Sequence, residues 1–402
     1  MSFLKKFKKI FHITLWEAIV AILIIATYFI LANVLFKENP PLWFTISGFV
    51  VGTWLAFRPS EWAVTGLNSG AKYVGLSDYV AGVLSSLASN LPEAVVAIFL
   101  IINGEKLIAV ITVLSAAGFN TLILGIAIMI STIKNKGSIR VPEELENRES
   151  PIIRWAIVAL LITVLFGILQ YIHSLQVSGT VDAILTIPVA VMLTASYLIY
   201  LVYLIAIKEN NKKMVDGLEN HVEAESEVSE ETTDSKEEPN HNDHEKLSIP
   251  FTIILLVLGF VGIFFAGEVL TRSVEQLTDH STFFDTEKGE ITLALILGAA
   301  GAVPEHSIAV LSSLKGDIEV GIGNAMGGIL QSSLLIFGIL GIITSISLDP
   351  FVLIQLASIA GTLWFVKRCI HDRKFDIFEG LMIIILQILV FIILYEDIAI
   401  IV

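Results

Sequence analysis

A proline followed by a glutamate, Pro92-Glu93, sits inside an apolar segment of about 25 residues, 78–102. A helix needs about 20 apolar residues to cross a bilayer, and neither residue suits the middle of one. Proline has no backbone N–H and crowds the carbonyl four residues back, here that of Ala88. A helix should therefore break or kink at this point. The freed carbonyls, Ser89, Asn90 and the Glu93 carboxylate then lie within about one turn. Hard oxygens grouped around a carboxylate suit a hard cation such as Ca²⁺. Taken alone, the stretch also fits a plain proline kink with a glutamate at a helix end.

The pair recurs in the second half of the chain, as Pro304-Glu305 in another apolar segment. The likeness extends to the flanks. Ala94-Val95-Val96-Ala97-Ile98 corresponds to His306-Ser307-Ile308-Ala309-Val310, and Leu122-Ile123-Leu124-Gly125 to Leu335-Ile336-Phe337-Gly338. Two apolar segments interrupted at matching places in two halves point to a transporter with its site at the bilayer midplane.

Composition agrees. The 402 residues are 55% hydrophobic and 16% charged, against about a quarter charged in soluble domains. The net charge of −14 is localised: residues 216–245 hold twelve Asp/Glu and one Lys. The folded body has no basic face that would suit nucleic acid, so the expected partners are the lipid bilayer and the transported ions. The single cysteine, Cys369, excludes an internal disulfide and a cysteine metal site. Lys5, Lys6, Lys8 and Lys9 precede an apolar run over about 14–36. That run is too long for a signal peptide and lacks a small-residue cleavage site, so a retained helix is expected.

Hydropathy predicts this helix and ten more, at about 42–70, 78–102, 107–132, 152–172 and 182–207, then 249–276, 289–313, 318–345, 350–367 and 377–399. The fold class expected is an all-α polytopic membrane protein, with two five-helix repeats and one extra N-terminal transmembrane helix. The expected domains are a tail and extra helix (1–41), a first repeat (42–207), an acidic linker (208–247) and a second repeat (248–402). The linker is too polar to repay the entropy of ordering and is expected to be a disordered connector. With the N-terminus inside, the inner loops carry most of the Lys and Arg, and the outer loops only Lys37, Lys106 and Lys288. An odd number of spans per repeat then inverts the second half relative to the first. The N-terminus and linker are expected on the cytoplasmic side of the cell membrane.

Two buried carboxylates that face each other need a cation between them, or protons. Glu93 and Glu305 would supply two negative charges to Ca²⁺ and take up protons when it leaves. A site that changes sides only when filled performs antiport. The third helices add Ser115 and Asn120, then Asn324, Gln331, Ser332 and Ser333. Two readings are open for these: site-lining or ligation, and hydrogen bonding between helices. Glu61 and Glu268 recur in the first helices, where Arg58 and Arg272 stand ready to neutralise them.

At these residues the chain resembles the cation/Ca²⁺ exchanger superfamily. The run from Leu67-Asn68-Ser69-Gly70-Ala71 to Asn90-Leu91-Pro92-Glu93 is similar to its first signature. Glu305-His306, Lys315-Gly316-Asp317 and Gly327 through Gln331 are similar to the second signature of the cation/proton branch. The proline before each glutamate resembles the sodium/calcium branch. The resemblance implies two inverted five-helix repeats and central Ca²⁺ ligation by Glu93 and Glu305. It also implies site residues Ser89, Asn90 and Asn120 in the first half, and Gln331 and Ser332 in the second. Asn324 is kept as a further candidate ligand.

Where the sodium/calcium branch has side-chain oxygens, this chain has Gly301 and Ala302, and Gly327-Gly328-Ile329 opposite Ser115-Ala116-Ala117. The expected function is therefore exchange of Ca²⁺, or a similar divalent cation, for protons, with His306 a possible proton carrier. Exchange of Na⁺ for Ca²⁺ or for protons is the nearest alternative. An intramembrane enzyme with two acids is a distant one, because acid–base chemistry would require neither the repeat nor the proline breaks. The chain is expected not to be an enzyme and to need no cofactor.

Overall fold

The computed structural model describes residues 11, 14–37, 40–74, 86–141, 146, 150–177, 183–203, 247–316 and 318–396. The acidic linker falls outside them but for its last residue, as do 78–85 of the second expected span. The first helices are α1 (Leu15–Val34), α2 (Leu42–Tyr73), α3 (Leu91–Ile102) and α4 (Lys106–Lys134). They are followed by α5 (Ser150–Val177) and α6 (Ile187–Tyr203). The second half begins with α7 (Ile249–His280), α8 (Glu287–Gly301), α9 (Val303–Lys315) and α10 (Ile318–Leu330). A π turn over Gln331–Ile336 leads into α11 (Phe337–Ile343), and α12 (Pro350–His371) and α13 (Ile377–Glu396) complete the chain.

Side-chain caps mark several helix starts, where a Thr or Asp oxygen satisfies a free amide of the first turn. Thr14 accepts from the Glu17 amide at 3.1 Å and Asp349 from the Val352 amide at 2.8 Å. Gly316, at φ 95°, ends α9 in the left-handed conformation that favours glycine.

The protein is an all-α polytopic membrane protein built of two inverted five-helix repeats and one extra helix, α1. Among the described residues, six helices are long and apolar enough to cross a membrane, and α8 with α9, bent by 50°, makes a seventh span. The other expected spans are the shorter apolar α3, α6 and α13, together with α2, whose sequence is more polar.

Inversion is visible in two short antiparallel ladders. β1 (Ile139–Arg140) lies between α4 and α5, and β2 (Ile184–Leu185) between α5 and α6. β3 (Ile346–Ser347) and β4 (Lys374–Phe375) hold the matching positions in the second half. β1 pairs with β4 and β2 with β3. Exchanging the halves turns one ladder into the other. Each is extended by one more matching bond, Val141 N to Arg373 O and Leu348 N to Ala183 O.

The 32-residue α2 and α7 pack along each other. Small residues allow their backbones to approach: a Cβ on Gly259 would lie 2.8 Å from the Pro59 carbonyl. α1 attaches to this pair. Tyr28 stacks on Phe44 at 4.9 Å, Phe29 meets Phe265 at 5.5 Å, and Glu17 reaches Arg58 at 3.6 Å. Arg58 also pairs with Glu61 at 2.8 Å, the neutralisation its position suggested. α4 packs against α8, α10 and α13. Many of its apolar side chains, among them Ile108, Ile111, Leu114 and Leu124, are fully buried.

Candidate functional site

Both prolines sit at the first turn of a new helix rather than inside a continuous one. The helical turn 86–89 ends at Asn90, and α3 starts at Leu91 with Pro92 second. α8 ends at Gly301, Ala302 bridges, and α9 starts at Val303 with Pro304 second. At that position a helical N–H has no partner to lose, so proline is tolerated. Each break thus sets a glutamate in the first turn of a half-helix, where the positive end of the helix dipole favours negative charge. Glu93 and Glu305 are both fully buried.

Each glutamate is held by the opposite half. Asn120 Nδ2 on α4 donates to Glu305 Oε2 at 2.6 Å, and Ser89 Oγ to Glu305 Oε1 at 3.1 Å. Ser332 Oγ in the π turn donates to Glu93 Oε1 at 2.5 Å. Asn120 and Ser332 are separated along the chain by the same interval as Glu93 and Glu305, so these bonds are related by the repeat. Asn90 Nδ2 donates to Gln331 Oε1, and Gln331 Nε2 donates to Ser86 Oγ at 3.1 Å. The Ser86 carbonyl accepts from Ser89 Oγ at 2.8 Å.

The backbones close in around these groups. A Cβ on Gly301 would lie 3.0 Å from Glu93 Cβ, and one on Gly328 would lie 2.6 Å from Glu305 Oε2. Three buried oxygens of the network have no donor among the described residues: Asn90 Oδ1, Glu93 Oε2 and Asn120 Oδ1. All three are acceptors, and burying acceptors without a partner is costly. They suit a hard cation.

The structure thus brings together Glu93, Glu305, Ser89, Asn90, Asn120, Gln331 and Ser332. Asn324 makes a different contact, Nδ2 to the Glu305 main-chain carbonyl at 3.0 Å, which secures the start of α9. His306 turns toward the Phe119 ring, 6.4 Å away between centroids, and its Nε2 is buried without a partner among the described residues. Ser86 is the residue that sequence reasoning does not single out. Its hydroxyl and carbonyl organise Ser89 and Gln331. Its match in the second half, at the interval of the two glutamates, is Gly298, so the repeat carries no signal for it.

Two inverted repeats, broken helices and a buried pair of acids at the breaks define a polytopic membrane protein of the secondary-transporter type. The family described as "Sodium/calcium exchanger protein" matches residues 41–206 and 251–395. The chain belongs to this family. Among curated proteins, none matches.

Solved structures share the fold. The crystal structure of the H⁺/Ca²⁺ exchanger CAX is 14% identical, with TM-score 0.64 over 95% of this chain and 91% of that one. Native YfkE is 16% identical, with TM-score 0.60 over 93% and 99%. The sodium-calcium exchanger NCX_Mj, soaked with 10 mM Na⁺ and zero Ca²⁺, is 17% identical, with TM-score 0.54 over 88% and 99%.

Proposed function

We propose that this chain is a secondary antiporter that exchanges Ca²⁺, or a similar divalent cation, for protons. The observation that carries the reading is the pair of fully buried carboxylates, Glu93 and Glu305, with three buried oxygens, Glu93 Oε2, Asn90 Oδ1 and Asn120 Oδ1, that have no donor among the described residues. Glu93 and Glu305 are the central ligands. Asn90 and Asn120 offer their free amide oxygens, and Ser89, Gln331 and Ser332 line the site. Asn324 positions Glu305 through its main chain. When the cation leaves, protons replace it, because two bare carboxylates so close together in a dry site repel each other.

Proton coupling is supported by the glycines. Several Na⁺ ions would each need a cage of oxygens. At Gly301 and Gly328 a side chain would meet Glu93 and Glu305 at 3.0 and 2.6 Å, leaving no room for added hydroxyls. The positive-inside pattern supports a cell-membrane protein with its N-terminus and linker in the cytoplasm. The domain limits proposed are 1–41, 42–207, 208–247 and 248–402. The test is Ca²⁺ uptake by proteoliposomes carrying Glu93→Gln or Glu305→Gln. Both variants should fold and neither should exchange; normal uptake by either sinks the assignment.

A further inference from the structure

The correspondences between the two halves fall into two registers. Pro92-Glu93 and Pro304-Glu305 set one interval along the chain, which Ala94–Ile98 and His306–Val310 share. Leu122–Gly125 and Leu335–Gly338 stand one position further apart. Contacts follow the same division. In the first register, Ser86 lies against Gly327 as Ser115 lies against Gly298, and Asn120 holds Glu305 as Ser332 holds Glu93. In the second register, Gly125 meets the main chain of Gly380, and Gly338 that of Ala190; the Cβ-to-carbonyl distances would be 2.8 and 2.9 Å.

One residue is therefore extra in the second half, between Ser332 and Leu335. That interval lies within the π turn Gln331–Ile336, whose i→i+5 bonds hold one residue more per turn than an α-helix. Its counterpart α4 is uninterrupted from Lys106 to Lys134. The neighbouring side chains show the effect. In the first half Asn120 faces Glu305, while the preceding Phe119 turns away to Phe391, 4.9 Å between centroids. In the second half Ser332 faces Glu93 and the preceding Gln331 also turns inward, to Asn90 and Ser86.

We propose that this one-residue insertion makes the cation site asymmetric: it turns Gln331 inward as a positioning residue that orients Asn90. Gln331 Oε1 occupies the Asn90 amide nitrogen, which leaves Asn90 Oδ1 free for the cation. The inference rests on the exchanger reading and deepens it.

Deleting Ser333 tests it. Among the described residues the Ser333 hydroxyl bonds only within its own helix, to the Ile329 carbonyl at 2.6 Å. Its removal restores a single register throughout. Ser332 then keeps Glu93, as Asn120 keeps Glu305, and Gln331 takes the outward direction of Phe119. In proteoliposomes the deletion should raise the KM for Ca²⁺ about tenfold, the scale of losing one or two buried hydrogen bonds, with the maximal rate within about twofold. Gln331→Leu should do the same. The two changes combined should be no worse than either, because both remove one interaction. Multiplying effects would overturn the proposal, as would a native KM in the folded deletion variant. So would loss of fold by the deletion when Gln331→Leu folds, since the wide turn would then serve packing. Absence of Ca²⁺ uptake by the native protein is a separate result, and it would overturn the exchanger reading as well.

Discussion

At Gly328 the backbone of α10 comes close to both Glu305 and its partner Asn120. A methyl group there would stand 2.6 Å from Glu305 Oε2 and would also crowd the Asn120 amide. Gly328→Ala therefore forces apart the bond that Asn120 makes to Glu305 at 2.6 Å. Overpacking of this kind costs about 1–3 kcal/mol, and replacing a helical glycine by alanine recovers about 1 kcal/mol. The fold should thus lose about 0–2 kcal/mol and survive. Cation binding should suffer more, because the atoms that must move are the ligands. A displacement costing about 1.4 kcal/mol raises the KM for Ca²⁺ roughly tenfold. Gly323, in the same helix, is the control, since a Cβ there would meet nothing within 4 Å. The assay is initial Ca²⁺ uptake by proteoliposomes at graded Ca²⁺, with the melting temperature of each variant in detergent. A native KM for Gly328→Ala, or an equal defect in Gly323→Ala, would refute the reasoning.

Three other outcomes are expected. Glu105, in the turn between α3 and α4, has its carboxyl raised above the usual range by burial first, then by the charges of Glu275 and Asp279. A raised acid binds more protons folded than unfolded, so its cost appears as pH rises through its folded pKa; Glu105→Gln should raise the melting temperature at pH 8 and have little effect at pH 4, and a pH-independent difference would contradict this. Deleting 217–244 should leave transport largely intact, because that composition cannot pack; complete loss in a well-folded deletion variant would make the linker part of the mechanism. His306→Asn should shift the pH dependence of transport, as expected of a buried imidazole that carries protons; an unchanged profile would leave it as packing against Phe119.

Much of the fold is legible in the chain because membrane burial imposes long apolar runs, and because Pro92-Glu93 and Pro304-Glu305 mark the same break twice. The glutamates, Asn120 and Ser332 are legible as polar residues in runs that lipid would otherwise make apolar. Their pairing is not. That each third helix serves the glutamate of the other half follows from how the repeats interlock, which no local pattern encodes. Ser86 is missed because its match in the other half is Gly298, and the contact of Asn324 because its acceptor is a main-chain carbonyl. Of the expected break or kink, the structure has the break: new helices start after Asn90 and Ala302. The π turn leaves only a one-residue change of register, which stands out once Gly125 and Gly338 are seen to meet the opposite half alike.

The central claim is exchange of a divalent cation for protons at Glu93 and Glu305. It is tested most directly by Ca²⁺ uptake into proteoliposomes under one imposed gradient at a time. An acidic interior without Na⁺ should drive uptake by the native protein and none by Glu93→Gln. Uptake driven by a Na⁺-loaded interior with the pH gradient collapsed, and not by the pH gradient alone, would contradict the account.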